Sequence, residues 1–588
     1  MSPATSRRDL LRSIGAVGTA LAVGPQVVGA SVAEDRWVCN MDHDEMSMAA
    51  MSTSEVDVLM DLREELGFCL VECSEDHLPA ECDIDYDEVE FDLEKDADEY
   101  DRENLDELRE KAENGESLPY APDITIELER PQVREDSGLN ARDTVDDELY
   151  DLQWDKQSQR IGKAHKRATG DGARIGIIDD GVLGANPDSN ASHPDLPNVN
   201  ESLSANFTLD GQGPGPLNDD HGTHVAGTAA AAANGTGVVG VAPDAEVVDL
   251  RVFSGPFAST FGIVAAIVYG AAPEDQGGAG CDAVNLSLGL PTLPVCSFIG
   301  LLVLIFFYPV YEAAAQFALD NDCVPVASAG NSGTNLADPT AGGFCAPPLD
   351  FEIFGESGFF TLPASVDEYL TVGATGPVGF GWGDGNGRGP NRSKEVAPGL
   401  EIEQPIQTEL FPEEPAWYSN YGGDGEVNVT AGGGNVDTDA IDADENWFYD
   451  LVFNTTFQGD PNAPEDERLD SYVPSYGWKA GTSFSAPQVT GLVALLRELA
   501  PDASAAEIRS VIESTASQEP VGKAGQTTAP ESYPDVLGQS EGVNVGIDGE
   551  LNGDQPSNPG SNPQTLSASD YRGAGHIDIR RAVRELSD

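Results

Sequence analysis

The sequence predicts an α/β fold, a doubly wound and mostly parallel central sheet flanked by helices, preceded by a small α+β unit. Three observations carry that reading. The apolar run Ile175 to Ile178 ends in Asp179-Asp180-Gly181 and has the character of a buried parallel strand. His221-Gly222-Thr223-His224-Val225-Ala226-Gly227-Thr228 opens an Ala-rich helix. Gly481-Thr482-Ser483-Phe484-Ser485-Ala486-Pro487 leads into a helical stripe of Val489, Leu492, Val493 and Leu496. With 588 residues, 40% of them hydrophobic, the chain has ample material for a large core.

Residues 1–30 form the first element. Ser6-Arg7-Arg8-Asp9-Leu10-Leu11, the weakly apolar stretch Ile14 to Val28 and the small-residue site Val28-Gly29-Ala30 read as a twin-arginine export signal, which predicts a secreted, extracellular protein. The stretch is short and Gly-rich for a membrane span. Residues 31–145 form an acidic second element. Val56 to Leu59, Glu88 to Leu93 and Asp123 to Leu128 alternate as half-buried strands do, and Asn104 to Asn114 has helical character. Residues 146–588 form the third element, with loop insertions expected near Gly376 to Glu414, Asn435 to Asp470 and Ser517 to Ser569.

The order Asp, His, Ser in the three chemistry-bearing segments describes an acyl-transfer apparatus. A serine hydroxyl is a poor nucleophile at neutral pH, so it needs an imidazole to take its proton and a carboxylate to orient that imidazole. Asp179, His221 and Ser483 supply these parts. Ser483 stands before a helix, where backbone N–H groups face a developing oxyanion.

Four further segments follow in order: Val284-Asn285-Leu286-Ser287-Leu288-Gly289, Ala327-Ser328-Ala329-Gly330-Asn331, Tyr418-Ser419-Asn420-Tyr421-Gly422 and Gly573-Ala574-Gly575-His576-Ile577-Asp578. From about Asp147 to the C-terminus the chain resembles the subtilisin-like serine proteases, the subtilases, and in character the secreted halophilic halolysins. The resemblance implies a serine endopeptidase working through an acyl-enzyme on protein or peptide substrates. It makes Ser287, Leu288, Gly289 and Gly330 substrate-binding residues and gives Asn331 and the Ser483 N–H to the oxyanion. It makes His224 a packing residue and residues 31–145 a propeptide that assists folding and inhibits until cut, with the mature start within Gly138 to Tyr150. Asp180 stands where secreted bacterial relatives usually carry Ser or Thr and resembles the kexin branch. A narrow processing protease and a catalytically silent, calcium-dependent binding protein are the alternative readings.

By the same resemblance, structural calcium is the implied cofactor. Asp195, the Asn234 side chain and the Thr236 and Val238 carbonyls supply hard oxygen ligands. The acidic cluster Asp437 to Asp444 lacks the glycine and terminal Glu of an EF-hand loop and reads as solvated loop. Eight cysteines in an exported chain favour disulfides, and Cys281 with Cys323 is one candidate pair because both precede neighbouring strands. Cys69, Cys73, His77 and Cys82 on a helical face are an alternative zinc set.

Charge sets the working environment. Against 102 Asp and Glu stand 31 Lys and Arg, a net charge of -71 spread along the chain. At molar salt the Debye length falls to about 3 Å and the self-repulsion is screened, so the surface reads as adapted to high salt. Nucleic acid is excluded as a partner, because no basic patch exists to neutralise phosphates. One run, Phe298 to Tyr308, is out of keeping with so acidic a chain. It is read first as a buried extra helix and second as a flap for apolar substrate residues or a membrane surface, at a place where the resemblance implies only a short connection.

Overall fold

The computed structural model describes residues 31–43, 46, 56–78, 108, 111, 117–127, 132–135, 147, 149–217, 219–290, 292–295, 298–337, 359–377, 392–397, 400–404, 415–416, 418–422, 425–435, 450–459, 469–518 and 571–587. The N-terminal part contributes β1 (Ser31–Asn40), β2 (Asp57–Leu62), β3 (Phe68–Glu72), β4 (Tyr120–Glu127) and β5 (Gln132–Glu135). The strands read from sequence near Val56 and Asp123 coincide with β2 and β4, whereas β1 and β3 were not foreseen. Glu88 to Leu93 and the export segment 1–30 lie outside the described residues.

Two short helices follow, α1 (Trp154–Ser158) and α2 (Ile161–Ala164). Then come β6 (Arg174–Asp179), β7 (Ala205–Asn206), α3 (His221–Ala230), β8 (Glu246–Arg251), β9 (Phe253–Ser254), β10 (Phe257–Ser259), α4 (Thr260–Ala271) and β11 (Ala283–Leu286). The chain continues through β12 (Leu293–Pro294), α5 (Phe298–Leu302), α6 (Tyr308–Asp320), β13 (Val324–Ser328), β14 (Phe359–Phe360) and β15 (Leu370–Thr375). The hairpin of β16 (Arg392–Ala397) and β17 (Leu400–Gln404) precedes β18 (Val429–Gly432), β19 (Val452–Gln458), β20 (Val473–Ala480), α7 (Ala486–Leu499), α8 (Ala505–Thr515) and α9 (Ile579–Ser587). Part of the expected loop insertion Asn435 to Asp470 is therefore the strand β19, paired antiparallel with β20.

The central sheet has seven strands in the order β18-β15-β13-β11-β6-β8-β7. Every pairing in it is parallel. Its strands read as unbroken apolar runs because helices cover both faces. In β6, Ile175 and Ile177 enter the core under α3 and α7, while Ile178 points to the core under α4 and α6. That alternation along one strand makes the sheet doubly wound.

A second sheet crosses the expected boundary at residue 145. Its order is β2-β3-β1-β4-β10-β9, so four N-terminal strands and two from the following unit share one antiparallel ladder. β5 joins a third sheet by pairing with β20, with Gln132 opposite Ala480 and Glu135 opposite Gly477.

The apolar run is helical throughout. α5 passes through a π-helical turn, Val303–Phe307, into α6. Ile299–Asp320 is the one described helix long and apolar enough to cross a bilayer, and 56% of its most apolar window is buried inside the protein. Phe306 meets Phe68 of β3 edge to face, ring centroids 6.0 Å apart, so the cover over this run comes from the N-terminal sheet.

The cysteine and zinc readings fare differently from expectation. Cys281 and Cys323 are both buried free thiols, and burial pushes both thiol pKa values up. No disulfide joins the described cysteines. Cys69 lies in β3 rather than on a helix, directly opposite Cys39 of β1, so no helical face collects Cys69, Cys73 and His77. Among the described residues no group of three or more His, Cys, Asp or Glu is arranged to hold a metal.

Candidate active site

The site gathers at the carboxyl ends of the central strands. From β6 the chain crosses to β8 on one side and later to β11 on the other, which makes β6 the switch point of the sheet and the natural floor of a cleft. Asp179 is the last residue of β6, and Ser287 and Gly330-Asn331 follow the ends of β11 and β13.

His221 Nδ1 and Asp179 Oδ1 are 2.7 Å apart with both side chains fully buried. Asp179 Oδ1 also accepts the Asp180 N–H at 2.8 Å, which fixes the carboxylate on the strand end. His221 Nε2 has no hydrogen-bond partner among the described residues. A buried imidazole paired at Nδ1 and unpartnered at Nε2 is oriented to take a proton there.

Ser483 lies in the turn Thr482–Phe484 at the head of α7 and is 5% exposed. Its hydroxyl donates to the Ser287 carbonyl at 3.3 Å, while the Ser287 hydroxyl donates to the Ser483 carbonyl at 2.6 Å. A buried relay stands behind this exchange. Thr490 Oγ1 donates to Asn285 Oδ1 at 3.0 Å and Asn285 Nδ2 donates to Ser287 Oγ at 2.8 Å, tying α7 to the end of β11.

Asn331 is oriented by Thr482. Its Oδ1 accepts both the Thr482 N–H and the Thr482 hydroxyl at 2.9 Å, and Thr482 Oγ1 in turn accepts the Gly330 N–H at 3.1 Å. With the carbonyl end so engaged, the Nδ2 group is the donor end of the side chain. Gly330 has φ +92°, and a Cβ there would lie 2.6 Å from Asn420 Nδ2, so both backbone and space demand glycine. Asn420, from the Tyr-Ser-Asn-Tyr-Gly segment, donates to the Ala329 carbonyl at 2.9 Å and holds the same loop. Leu288 is buried and Gly289 is partly exposed beyond β11.

Phe484, which sequence reasoning passed over, packs on both histidines. Its ring centroid lies 5.4 Å from His221 and 4.6 Å from His224. His224 is fully buried, with Nε2 between the Val452 and Gly477 carbonyls at 3.2 and 3.3 Å, and burial holds its pKa well below the ordinary imidazole range. It fastens α3 to the β19–β20 hairpin. Asp180 is likewise turned inward, Oδ1 accepting the Gly222 N–H at 2.7 Å in the first turn of α3. Burial and the neighbouring Asp179 charge push its pKa well above the usual carboxylate range, against the pull of that N–H. Close by, Lys479 forms a buried ion pair with Asp220 at 2.6 Å.

Hydrogen bonds join Asp195 to the loop Asn234 to Val238. Asp195 accepts the Val238 N–H at 2.9 Å and an Asn234 N–H at 3.3 Å, and Asn234 Oδ1 accepts the Thr236 N–H at 2.8 Å. Asp147, which was not foreseen, closes the loop by accepting the Gly235 N–H at 2.9 Å. Burial, helped by the Asp147 charge, raises Asp195 to about 7 against the pull of its hydrogen bonds. Asp147 and Asp195 supply carboxylate oxygens and Asn234 an amide oxygen, ligand types that suit a hard divalent cation.

Comparison with known proteins places the chain in a class. It belongs to the subtilase family, whose model, Peptidase S8, matches residues 170–542. It is 35% identical over 187 residues to Subtilisin Savinase of Lederbergia lenta, covering 31% of this chain and 56% of that one. For the alkaline proteases of Alkalihalobacillus alcalophilus and Shouchella clausii the match, also 35% identical, spans 40% of their length. Among solved structures, fervidolysin from Fervidobacterium pennivorans, a keratinolytic enzyme related to subtilisin, superposes with TM-score 0.51 at 18% identity, covering 95% of this chain and 62% of that one. The epidermin leader peptide processing serine protease of Staphylococcus aureus gives TM-score 0.51 at 16% identity over 93% of this chain and 97% of that one. These likenesses show the subtilase fold.

Proposed function

We propose that this chain is a serine endopeptidase that cleaves peptide bonds through an acyl-enzyme. The observation that carries the reading is the buried Asp179–His221 pair at 2.7 Å, with Nε2 unpartnered and the ring packed on Phe484, the residue after Ser483, at 5.4 Å. The reaction requires the Ser483 hydroxyl to exchange the Ser287 carbonyl for His221 Nε2. His221 then accepts the proton as Oγ attacks the substrate carbonyl, and returns it to the leaving amine. Asp179 keeps the Nδ1–H tautomer and stabilises the imidazolium. Asn331 Nδ2 and the Ser483 N–H receive the oxyanion, with Thr482 holding the amide in register. Ser287 to Gly289 and Gly330 supply backbone to the substrate chain. Calcium, held by Asp147, Asp195, Asn234, Thr236 and Val238, would rigidify the loop that follows α3.

The same reading makes the N-terminal unit a propeptide of a secreted, halolysin-like zymogen exported by the twin-arginine route. Support comes from the ladder that β4 shares with β10 and from the register of β5 on β20. Antiparallel pairing puts Gln132 opposite Ala480, three residues before Ser483, and carries the rest of β5 away from the nucleophile. Self-cleavage is therefore expected just N-terminal to Gln132, upstream of the Gly138 to Tyr150 window suggested by the sequence. The test is the Ser483→Ala variant, expressed in a host without other secreted proteases. It is expected to fold, to lose hydrolysis by about 10⁶ in turnover, and to stay full length. Normal maturation of that variant would refute self-processing, and a new N-terminus downstream of Glu135 would refute the register argument.

A further inference from the structure

Lys479 lies in β20, opposite Val452 of β19 on one side and Val133 of β5 on the other, four residues before Ser483. A lysine with 1% of its surface exposed has to be held by charge. Its ammonium is 2.6 Å from Oδ1 of Asp220, the residue before His221 at the start of α3. Burial works against the charge, yet Asp220, Asp219 and Asp180 together overcome it and hold the ammonium above its usual range. The carboxylates in turn need the cation. Oδ2 of Asp180, which follows Asp179, and Oδ2 of Asp220 are both buried without a hydrogen-bond partner among the described residues. Lys479 thus touches the residue next to His221, acts on the residue next to Asp179 and stands on the strand that delivers Ser483.

We propose that Lys479 is a positioning residue of the triad: its ion pair with Asp220 fixes His221 against the strand of Ser483, and its charge favours the proton-accepting form of the imidazole. The proposal rests on the serine endopeptidase reading and deepens it. Two ties hold the start of α3 on the β19–β20 hairpin, this ion pair and His224 Nε2 between the Val452 and Gly477 carbonyls. Loss of the first frees the end of α3 on which His221 stands. The electrostatic part has a definite sign. The titratable groups packed about the triad are Asp179 and Asp180 at the end of β6, Asp219, Asp220 and His224 on α3 and its lead-in, Lys479 on β20, and Asp249 on β8, raised to about 7 chiefly by burial. His224 is kept neutral by burial and then by the Lys479 charge. Ionised carboxylates favour the imidazolium, which is no base, and the Lys479 ammonium opposes them. At molar salt the surface part of the -71 charge is screened, whereas a pair with side chains 2% and 10% exposed is screened much less. Lys479 therefore acts on the triad under the very conditions in which the surface field fades.

The test follows kcat/KM against pH on a chromogenic peptide in molar salt, for the unsubstituted full chain and for Lys479→Met, Lys479→Arg, Asp220→Asn and the double variant Lys479→Met with Asp220→Asn. Lys479→Met leaves the Asp220 charge uncompensated, so the acidic limb is expected to move up by about half a unit. Its plateau kcat is expected to fall about tenfold as His221 loses its tie. Lys479→Arg keeps the charge and should return the limb to its place. Asp220→Asn leaves the ammonium uncompensated and should move the limb down. In the double variant the limb should return while plateau kcat stays low. Melting curves report the fold of each variant. If Lys479→Met does not fold, the step from Asp220→Asn to the double variant reads the same ammonium without a lone buried charge at its end. An unmoved limb, or one moved the same way by Lys479→Met and Asp220→Asn, would overturn the proposal and leave the pair as packing. Carbon-13 histidine NMR of the His221 ring in a Ser483→Ala background reads the same shift without turnover. A ring that responds to Lys479→Met in a chain that hydrolyses no peptide would refute the endopeptidase reading and uphold the charge assignment, whereas an active chain whose limb and ring both ignore the substitution refutes this proposal alone.

Discussion

Thr482→Val removes one hydroxyl at the point where the oxyanion donor is held. In the native chain Asn331 Oδ1 has two anchors from Thr482, the N–H and Oγ1, both at 2.9 Å. Valine keeps the first, deletes the second and leaves the Gly330 N–H without its 3.1 Å acceptor. One lost neutral hydrogen bond and one unsatisfied backbone donor predict a destabilisation of about 1–3 kcal/mol. Removing an oxyanion donor altogether costs about 10²–10³ in kcat, so loss of one of two anchors is expected to cost about tenfold. KM should change less than kcat, because the backbone of Ser287 to Gly289 is untouched and of the substrate-binding backbone only the Gly330 N–H loses an acceptor. Steady-state kinetics on a chromogenic peptide in molar salt, with a thermal melt of the same samples, read both quantities. Thr482→Ser should restore kcat. A lower melting temperature with unchanged kcat, or a raised KM at constant kcat, would refute a positioning role and leave Thr482 as packing.

Calcium and proton should compete at Asp195. Burial raises this carboxyl from the ordinary 3.8 to about 7, so without metal its contribution to stability is present at low pH and is lost as pH rises through about 7. Calcium replaces that proton, so it should raise the melting temperature more at pH 8 than at pH 6, and at pH 8 a hundredfold excess over Kd should stabilise the fold by about 2.7 kcal/mol. Asp195→Asn should abolish the difference; equal melting with calcium and with chelator at both pH values would exclude the site. Dialysis from molar to about 0.1 M salt should reduce both activity and compactness, because the net charge of -71 is then screened only over about 10 Å. Unchanged circular dichroism and activity would refute adaptation to high salt.

The sequence by itself determined what depends on short stretches of chain. Asp179 at a strand end, His221 at a helix start and Ser483 at a helix head each carry their placement in neighbouring residues. Local pattern singled them out as candidates, and the resemblance of those segments to the subtilases carried the fold class. The buried character of the 298–308 run was also legible, since eleven residues so apolar cannot face water in an acidic chain. Tertiary structure alone decided what covers that run, because Phe68 and Phe306 are brought together by a fold and not by a motif. It decided that Thr490 holds Asn285 across 205 residues, and that Phe484 fixes two imidazole rings at once. It also showed that β1–β4 and β9–β10 are one sheet, where alternating polarity had suggested a separate unit. The physical reason is common to all four. Hydrogen-bond pairing and core packing are chosen by distance in space, and a strand's alternation records which face is buried without naming the strand beside it.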